Sequence, residues 1–273
     1  MLQTNQTQKI YYSLRIASAM CFIGHGAFGI ITKEIWTNYF SVFGIAHDTA
    51  YAMMPYVGSL DVLMGLIILF YPIRVIAGWL VVWGLITAAL RPLSGEPFPE
   101  LIERAGNFGA PLALLLLTYA GNKDFKHWFK PIRIQHINND EQKLKRVKIC
   151  LRIVVFLLFV GHGWLNLIEK KGLLDQYRAF GASNPATVAH IIGSLEILGA
   201  VSVLIKPVRS VILILFVWKM FSELFYPHWE VFEFVERGGS YGTTLALFFL
   251  TGSSWQSLLN ITRQKNNEGI VSI

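Results

Sequence analysis

LRIASAMCFIGHG, residues Leu14–Gly26, returns as LRIVVFLLFVGHG at Leu151–Gly163. Both stretches are apolar except for an arginine near the start and a His-Gly pair at the end. Outward from this pair the echo continues. GSLD at Gly58–Asp61 returns as GSLE at Gly193–Glu196, Pro72-Ile73-Arg74 as Pro207-Val208-Arg209, and Trp83 as Trp218. Glu103-Arg104-Ala105-Gly106 returns as Glu236-Arg237-Gly238-Gly239. The offset narrows from 162 − 25 = 137 through 196 − 61 = 135 to 236 − 103 = 133, as two short loop deletions would produce. The chain reads as one unit duplicated and fused. Polar residues kept in both copies are therefore the first candidates for function.

Composition sets the class. Of the 273 residues 53% are hydrophobic and 15% charged, with mean hydropathy +0.47. A soluble domain carries about 25% charged residues. Apolar runs near the roughly 20 residues needed to span a bilayer fall at 10–32, 51–71, 73–91, 105–121, 147–168, 187–206, 208–226 and 239–256. The expected fold is all-α: a polytopic membrane protein with eight transmembrane helices. The prolines Pro72, Pro92, Pro207 and Pro227 fall between runs, where a missing backbone N–H does least harm. The units are residues 1–121, a basic linker 122–147, residues 148–258 and a tail 259–273. Four spans per copy insert both copies the same way up, giving two parallel four-helix bundles related by an axis along the membrane normal.

The charges suggest an orientation. With the N-terminus inside, 16 of the 24 Lys and Arg fall on the inner side, eight of them within Lys123–Lys148, while 11 of the 17 acids fall outside. The positive-inside rule then places both termini in the cytoplasm of a cell whose inner membrane holds the chain. The net charge of +7 reads as a topology signal, and no nucleic-acid partner is expected. Lysines interleaved with Phe125, Trp128 and Phe129 suit a linker lying on anionic lipid, and equally a solvated one. The start MLQTNQTQK lacks the basic region and cleavage site of a secretory signal, so the first span is expected to be retained. Cys21 and Cys150 are expected about 12 Å apart in depth, beyond disulfide reach.

Ionisable groups inside spans are functional candidates by default. His25 and His162 recur in the first span of each copy, Asp61 and Glu196 in the second, and Arg104 and Arg237 before the fourth. The second copy adds Lys219 and Glu223, four apart on one helical face, where the first has Thr87 with Ala88 or Arg91. The four-residue spacings Glu100–Arg104 and Glu233–Arg237 let each arginine be satisfied locally, whereas adjacent Glu103 and Arg104 cannot face one another on a helix. Glu103 and Glu236 then need other partners. For the histidines the open readings are a hydrogen-bonded structural role, proton exchange, and a metal or haem ligand; no metal site is assigned.

The inner halves of the spans, among them VLMGLIILF and VILILFVW, offer almost no polar lining. A conducting path needs such lining throughout. The polar groups instead suggest an outward-facing pocket for an amphipathic ligand, and a quinone, whose chemistry needs nearby proton donors, fits that description.

At these residues the chain resembles the DoxX-like family of four-span membrane proteins. Arg15, His25, Gly26 and Lys33, then Gly58–Asp61 and Arg74, carry the resemblance in the first copy; Arg152, His162, Gly163, Lys170, Gly193–Glu196 and Arg209 carry it in the second. Asp61 departs from the glutamate usual at its position. Some members resemble small membrane subunits of thiosulfate:quinone oxidoreductases, which implies a quinone-linked redox role beside a partner subunit. The chain has no CxxC with which to hold a second redox centre itself. The competing readings are a membrane scaffold or assembly factor and a small-solute transporter.

Overall fold

The computed structural model describes residues 2–119, 125–137, 140–225 and 231–252. The described residues are all-helical, with a single isolated bridge between Ile73 and Pro131. The helices are α1 (Leu2–Ile30), α2 (Trp36–Ser41), α3 (His47–Phe70), α4 (Arg74–Leu93), α5 (Pro99–Glu103) and α6 (Ala105–Thr118). They continue with α7 (Glu141–Leu167), α8 (Lys171–Ala179), α9 (Pro185–Ile205), α10 (Arg209–Leu224), α11 (Val231–Glu236) and α12 (Gly238–Leu250).

Among the described residues, five helices are long and apolar enough to cross a membrane: Gln6–Ile30, His47–Phe70, Arg74–Leu93, Glu141–Leu167 and Pro185–Ile205. The three other expected spans correspond to α6, α10 and α12, which have 14, 16 and 13 residues. Pro72 and Pro207 separate helices as expected, α3 from α4 and α9 from α10. Pro92 does not, since α4 carries it in its last turn and ends at Leu93. Pro227 and the tail 259–273 lie outside the described residues, as do 122–124 and 138–139 of the linker. The linker's far end is not a loop: α7 begins at Glu141, with Asp140 accepting from Gln142 N at 3.0 Å as its N-cap.

The arginines that open each copy have a structural use. Arg15 donates through Nε to Ile68 O at 3.1 Å and through Nη2 to Leu69 O; Arg152 donates to Val203 O at 3.3 Å, Leu204 O and Ile205 O at 3.1 Å. Each guanidinium thus takes up terminal carbonyls of α3 or α9 that have no partner within their own helix. Arg74 does the same for α6 through Thr118 O at 3.0 Å.

Helices α1, α6, α7 and α12 form the centre, with α3 and α4 to one side and α9 and α10 to the other. Their outward faces carry exposed Leu63, Phe70, Leu195, Leu198, Ile205 and Ile214. Small and polar residues face inward, Gly58, Asp61 and Gly65 on α3 and Gly193, Glu196 and Ala200 on α9. That pattern suits an apolar solvent around the bundle. The centre depends on two close approaches. A Cβ on Gly106 would lie 2.6 Å from the backbone of Gly239, and one on Gly239 would lie 2.6 Å from that of Gly106. Gly24 of α1 packs on the backbone of Glu236, and Gly161 of α7, its sequence equivalent, on that of Glu103. The first helix of each copy therefore meets the α5 or α11 segment of the other. Cys21 and Cys150 are free.

Candidate functional site

A histidine and a tryptophan hold each inward carboxylate. In the first copy His25 Nδ1 lies 2.7 Å from Asp61 Oδ2, and Trp83 Nε1 donates to Asp61 Oδ1 at 2.7 Å. In the second, His162 Nδ1 lies 2.8 Å from both oxygens of Glu196, and Trp218 Nε1 donates to Oε1 at 2.6 Å. Asn166 adds a donor to Glu196 at 3.2 Å, and Tyr177 Oη donates to Asn166 at 2.7 Å. An indole only donates, so one oxygen of each carboxylate is an acceptor whatever the histidine tautomer. Trp83 and Trp218 do not figure among the sequence-derived site residues. Their recurrence in both copies was the signal that could have found them.

The second feature is a buried ion network at the end of the bundle where α1 stops and α6 starts. Arg104 Nη1 reaches Glu100 at 2.5 Å, as the four-residue spacing predicts, and also Glu103 at 3.1 Å. The latter contact corrects the expectation that these neighbours cannot face each other. Arg104 is not helical, with ψ at 16°, because the chain breaks there between α5 and α6. The Glu233–Arg237 pairing is likewise replaced. Glu233 takes Lys33 at 2.6 Å, while Arg237 reaches Glu103 at 2.9 Å and approaches Glu223 at 3.6 Å. Lys219 pairs with Glu223 and lies 3.3 Å from Glu103, and Lys170 pairs with Glu100 at 2.6 Å. Arg91 pairs with Glu96 at 3.1 Å and covers the ring of Tyr39, whose hydroxyl donates to Glu96 at 2.5 Å. Among the described residues, with Glu236 counted, the cations Lys33, Arg91, Arg104, Lys170, Lys219 and Arg237 face the carboxylates Glu96, Glu100, Glu103, Glu223, Glu233 and Glu236, six against six.

Burial alone would raise the Glu100 carboxyl, but Arg104 and Lys170 outweigh it and hold its pKa at about 2. The Tyr39 hydroxyl is pushed above its ordinary value by burial, and its hydrogen bond to Glu96 pushes the same way against Arg91.

Two cavities meet this network. The first, of about 210 Å³, has a polar end made by His25, Arg91, Arg104, Asn107 and Glu236. Its walls are Trp36, Tyr39, Phe40, Phe43, Met53, Val57, Trp83 and Leu90. The His25 ring lies 4.5 Å from that of Trp36. The second cavity, of about 280 Å³ and polar, shares Trp36, Arg91, Arg104 and Glu236 with the first and adds Lys33, Lys170, Glu233 and Arg237. The corresponding space beside His162 is nearly filled. About 10 Å³ remains among Glu103, His162, Gln176, Glu223 and Arg237.

Of the candidates from sequence, His25 and Arg104 line the first cavity, and Asp61 stands behind His25 without lining it. His162, Glu223 and Arg237 line the residual space in the second copy, with Glu196 behind His162 and Lys219 within the network. Glu103, His162 and Glu223 place ligand-type atoms within 4.8 Å of one another, yet Lys219 and Arg237 already neutralise the two carboxylates. A divalent cation there would sit against two fixed positive charges. Compared with protein-family models, curated proteins and solved structures, the chain matches none of them.

Proposed function

We propose that this chain is an integral membrane protein made of two parallel DoxX-like four-helix units, which binds an amphipathic ligand of the quinone class beside His25. In this reading α6, α10 and α12 complete eight crossings, their short lengths accommodated by local thinning of the bilayer. The basic linker and both termini are cytoplasmic, following the charge bias of the loops. The ion network and the cavity then lie toward the outer side.

One observation carries the ligand assignment: a single cavity joins aromatic and aliphatic walls to a polar end containing an imidazole, a guanidinium and a carboxylate. Ligand sites have this form, mostly apolar with a few convergent polar groups. Its volume suits a ring-sized head group, with the tail leaving between helices. His25 is held through Nδ1 by Asp61, which leaves Nε2 for hydrogen bonding or proton exchange with that head group. Beyond the polar layer the centre closes through Leu14, Leu114, Leu151 and Leu247, all fully buried. This disfavours a path for solutes or protons through the bundle. A redox role would need a partner subunit to carry the electrons onward. The second half-site, filled by its own side chains, favours the scaffold reading for that half alone.

The test is extraction of protein purified in mild detergent, followed by chromatography and mass spectrometry of the extract. About one quinone per chain is expected. Absence of quinone, together with no binding of added short-tail quinone or quinol, overturns the assignment.

A further inference from the structure

The two half-sites differ at one place that names the ligand's head group more closely. Trp83 and Trp218 make the same hydrogen bond to their carboxylates, which fixes the register of α4 against α10. The next residue is Gly84 in one and Lys219 in the other, which corrects the expectation from sequence that Thr87 occupies the place of Lys219. Lys219 is fully buried and brings an ammonium to Glu103. The equivalent of Glu103 is Glu236, but Gly84 has no side chain to offer, and a Cβ there would lie 3.0 Å from Asn107 O. Glu236 is only 4% exposed and lines both cavities, and its carboxylate makes none of the side-chain hydrogen bonds or ion pairs found among the described residues. A buried carboxylate without a donor is costly, and its unmet lone pairs define what should fill the space.

We propose that Glu236 is the anchor for a hydroxyl-bearing, uncharged head group, so that the first half-site binds the quinol form in preference to the quinone. The matching place in the second half-site has a built-in occupant, the Lys219 ammonium. This rests on the quinone-class reading above and deepens it. Two facts choose a hydroxyl over a ligand ammonium. Among the described residues the network sets six cations against six carboxylates, so a further cation would add a charge uncompensated there. The cationic groups around Glu236, namely Arg237, Arg104 and Arg91, would also repel it. A hydroxyl both donates and accepts. It can give its hydrogen to Glu236 and accept from Arg104 Nε, a buried donor with no hydrogen-bond partner among the described residues. A quinone carbonyl satisfies the arginine alone.

The experiment uses the full chain in nanodiscs under anaerobic conditions and compares a short-tail quinol, its oxidised quinone and its dimethyl ether. The quinol is expected to bind about ten- to a hundred-fold more tightly than either, as for a hydrogen bond to a charged acceptor. Glu236→Gln should reduce that preference to less than about three-fold. Equal binding of quinol and quinone by the wild type overturns the anchor but leaves the quinone-class site standing. So does tighter binding of an arylalkylamine than of the quinol. Failure of all three quinone-type ligands overturns the site itself. The wild-type comparison needs no variant to fold.

Discussion

Arg237 donates to Glu103 across 2.9 Å although 134 residues separate them. The carboxylate belongs to the end of α5 and the guanidinium to the junction of α11 and α12, so the bond ties the two copies of the repeated sequence together. Glu103 also meets Arg104 and Lys219, while Glu233, the residue spaced to satisfy Arg237 locally, turns to Lys33. The interface between the halves is thus a buried set of charges whose members depend on one another.

Glu103→Ala should lower unfolding stability by roughly 3–5 kcal/mol, because it leaves three buried cations short of an anion. Glu233→Gln removes a pair whose lysine side chain is 31% exposed, and should cost about 1 kcal/mol or less. Thermal unfolding in a single detergent, followed by circular dichroism, compares the two. Equal losses would contradict the central place given to Glu103.

Trp83→Phe and Trp218→Phe each delete the indole donor to a buried carboxylate and should each cost about 1–3 kcal/mol. Only Trp83→Phe should also weaken ligand binding, since Trp83 lines the 210 Å³ cavity. Asp61→Asn should weaken binding too, by releasing the His25 ring, whereas Glu196→Gln should leave it unchanged. Calorimetric titration of the four purified variants with short-tail quinol checks the pattern.

Stability should depend on acid in a defined direction. Glu100 has its carboxyl held at about 2 in the folded protein against an ordinary 4.5. A depressed carboxyl contributes stability that is present above the ordinary value and lost as pH falls from about 4.5 toward 2. Unfolding temperature should fall over that interval, and the fall should be shallower in Glu100→Gln. A variant curve parallel to the wild type would contradict the assignment.

Single cysteines at Ser94 and at Lys143, in a chain lacking Cys21 and Cys150, should label from opposite sides of the membrane. Ser94 should react with an impermeant reagent in intact cells and Lys143 only after lysis. Labelling of both from one side would contradict the orientation.

Local features were legible in the sequence. Glu100 and Arg104, four residues apart, do pair, and the inward faces of α3 and α9 follow from Gly58, Asp61 and Gly65 and from Gly193 and Glu196. The polar residues repeated in both copies include those that meet in space as His25 with Asp61 and His162 with Glu196. Less legible was the break at Arg104, which turns Glu103 toward its neighbour. No proline or glycine occupies the break itself, and the close approach of Gly106 to Gly239 that accompanies it is a long-range contact. The cross-pairing of Arg237 and Lys219 with Glu103 depends on that approach and has no local signal. Trp83 and Trp218 recur in the sequence, but only the distances to Asp61 and Glu196 show them donating inward.

The most direct test of the central claim is a structure of the full chain in nanodiscs with a short-tail quinol added. Density for a ring is expected in the cavity between Trp36 and Glu236, within hydrogen-bond distance of His25, and none is expected beside His162. A ring bound beside His162, or ligand density confined to the lipid-facing surface while the His25 cavity holds only water, would contradict it.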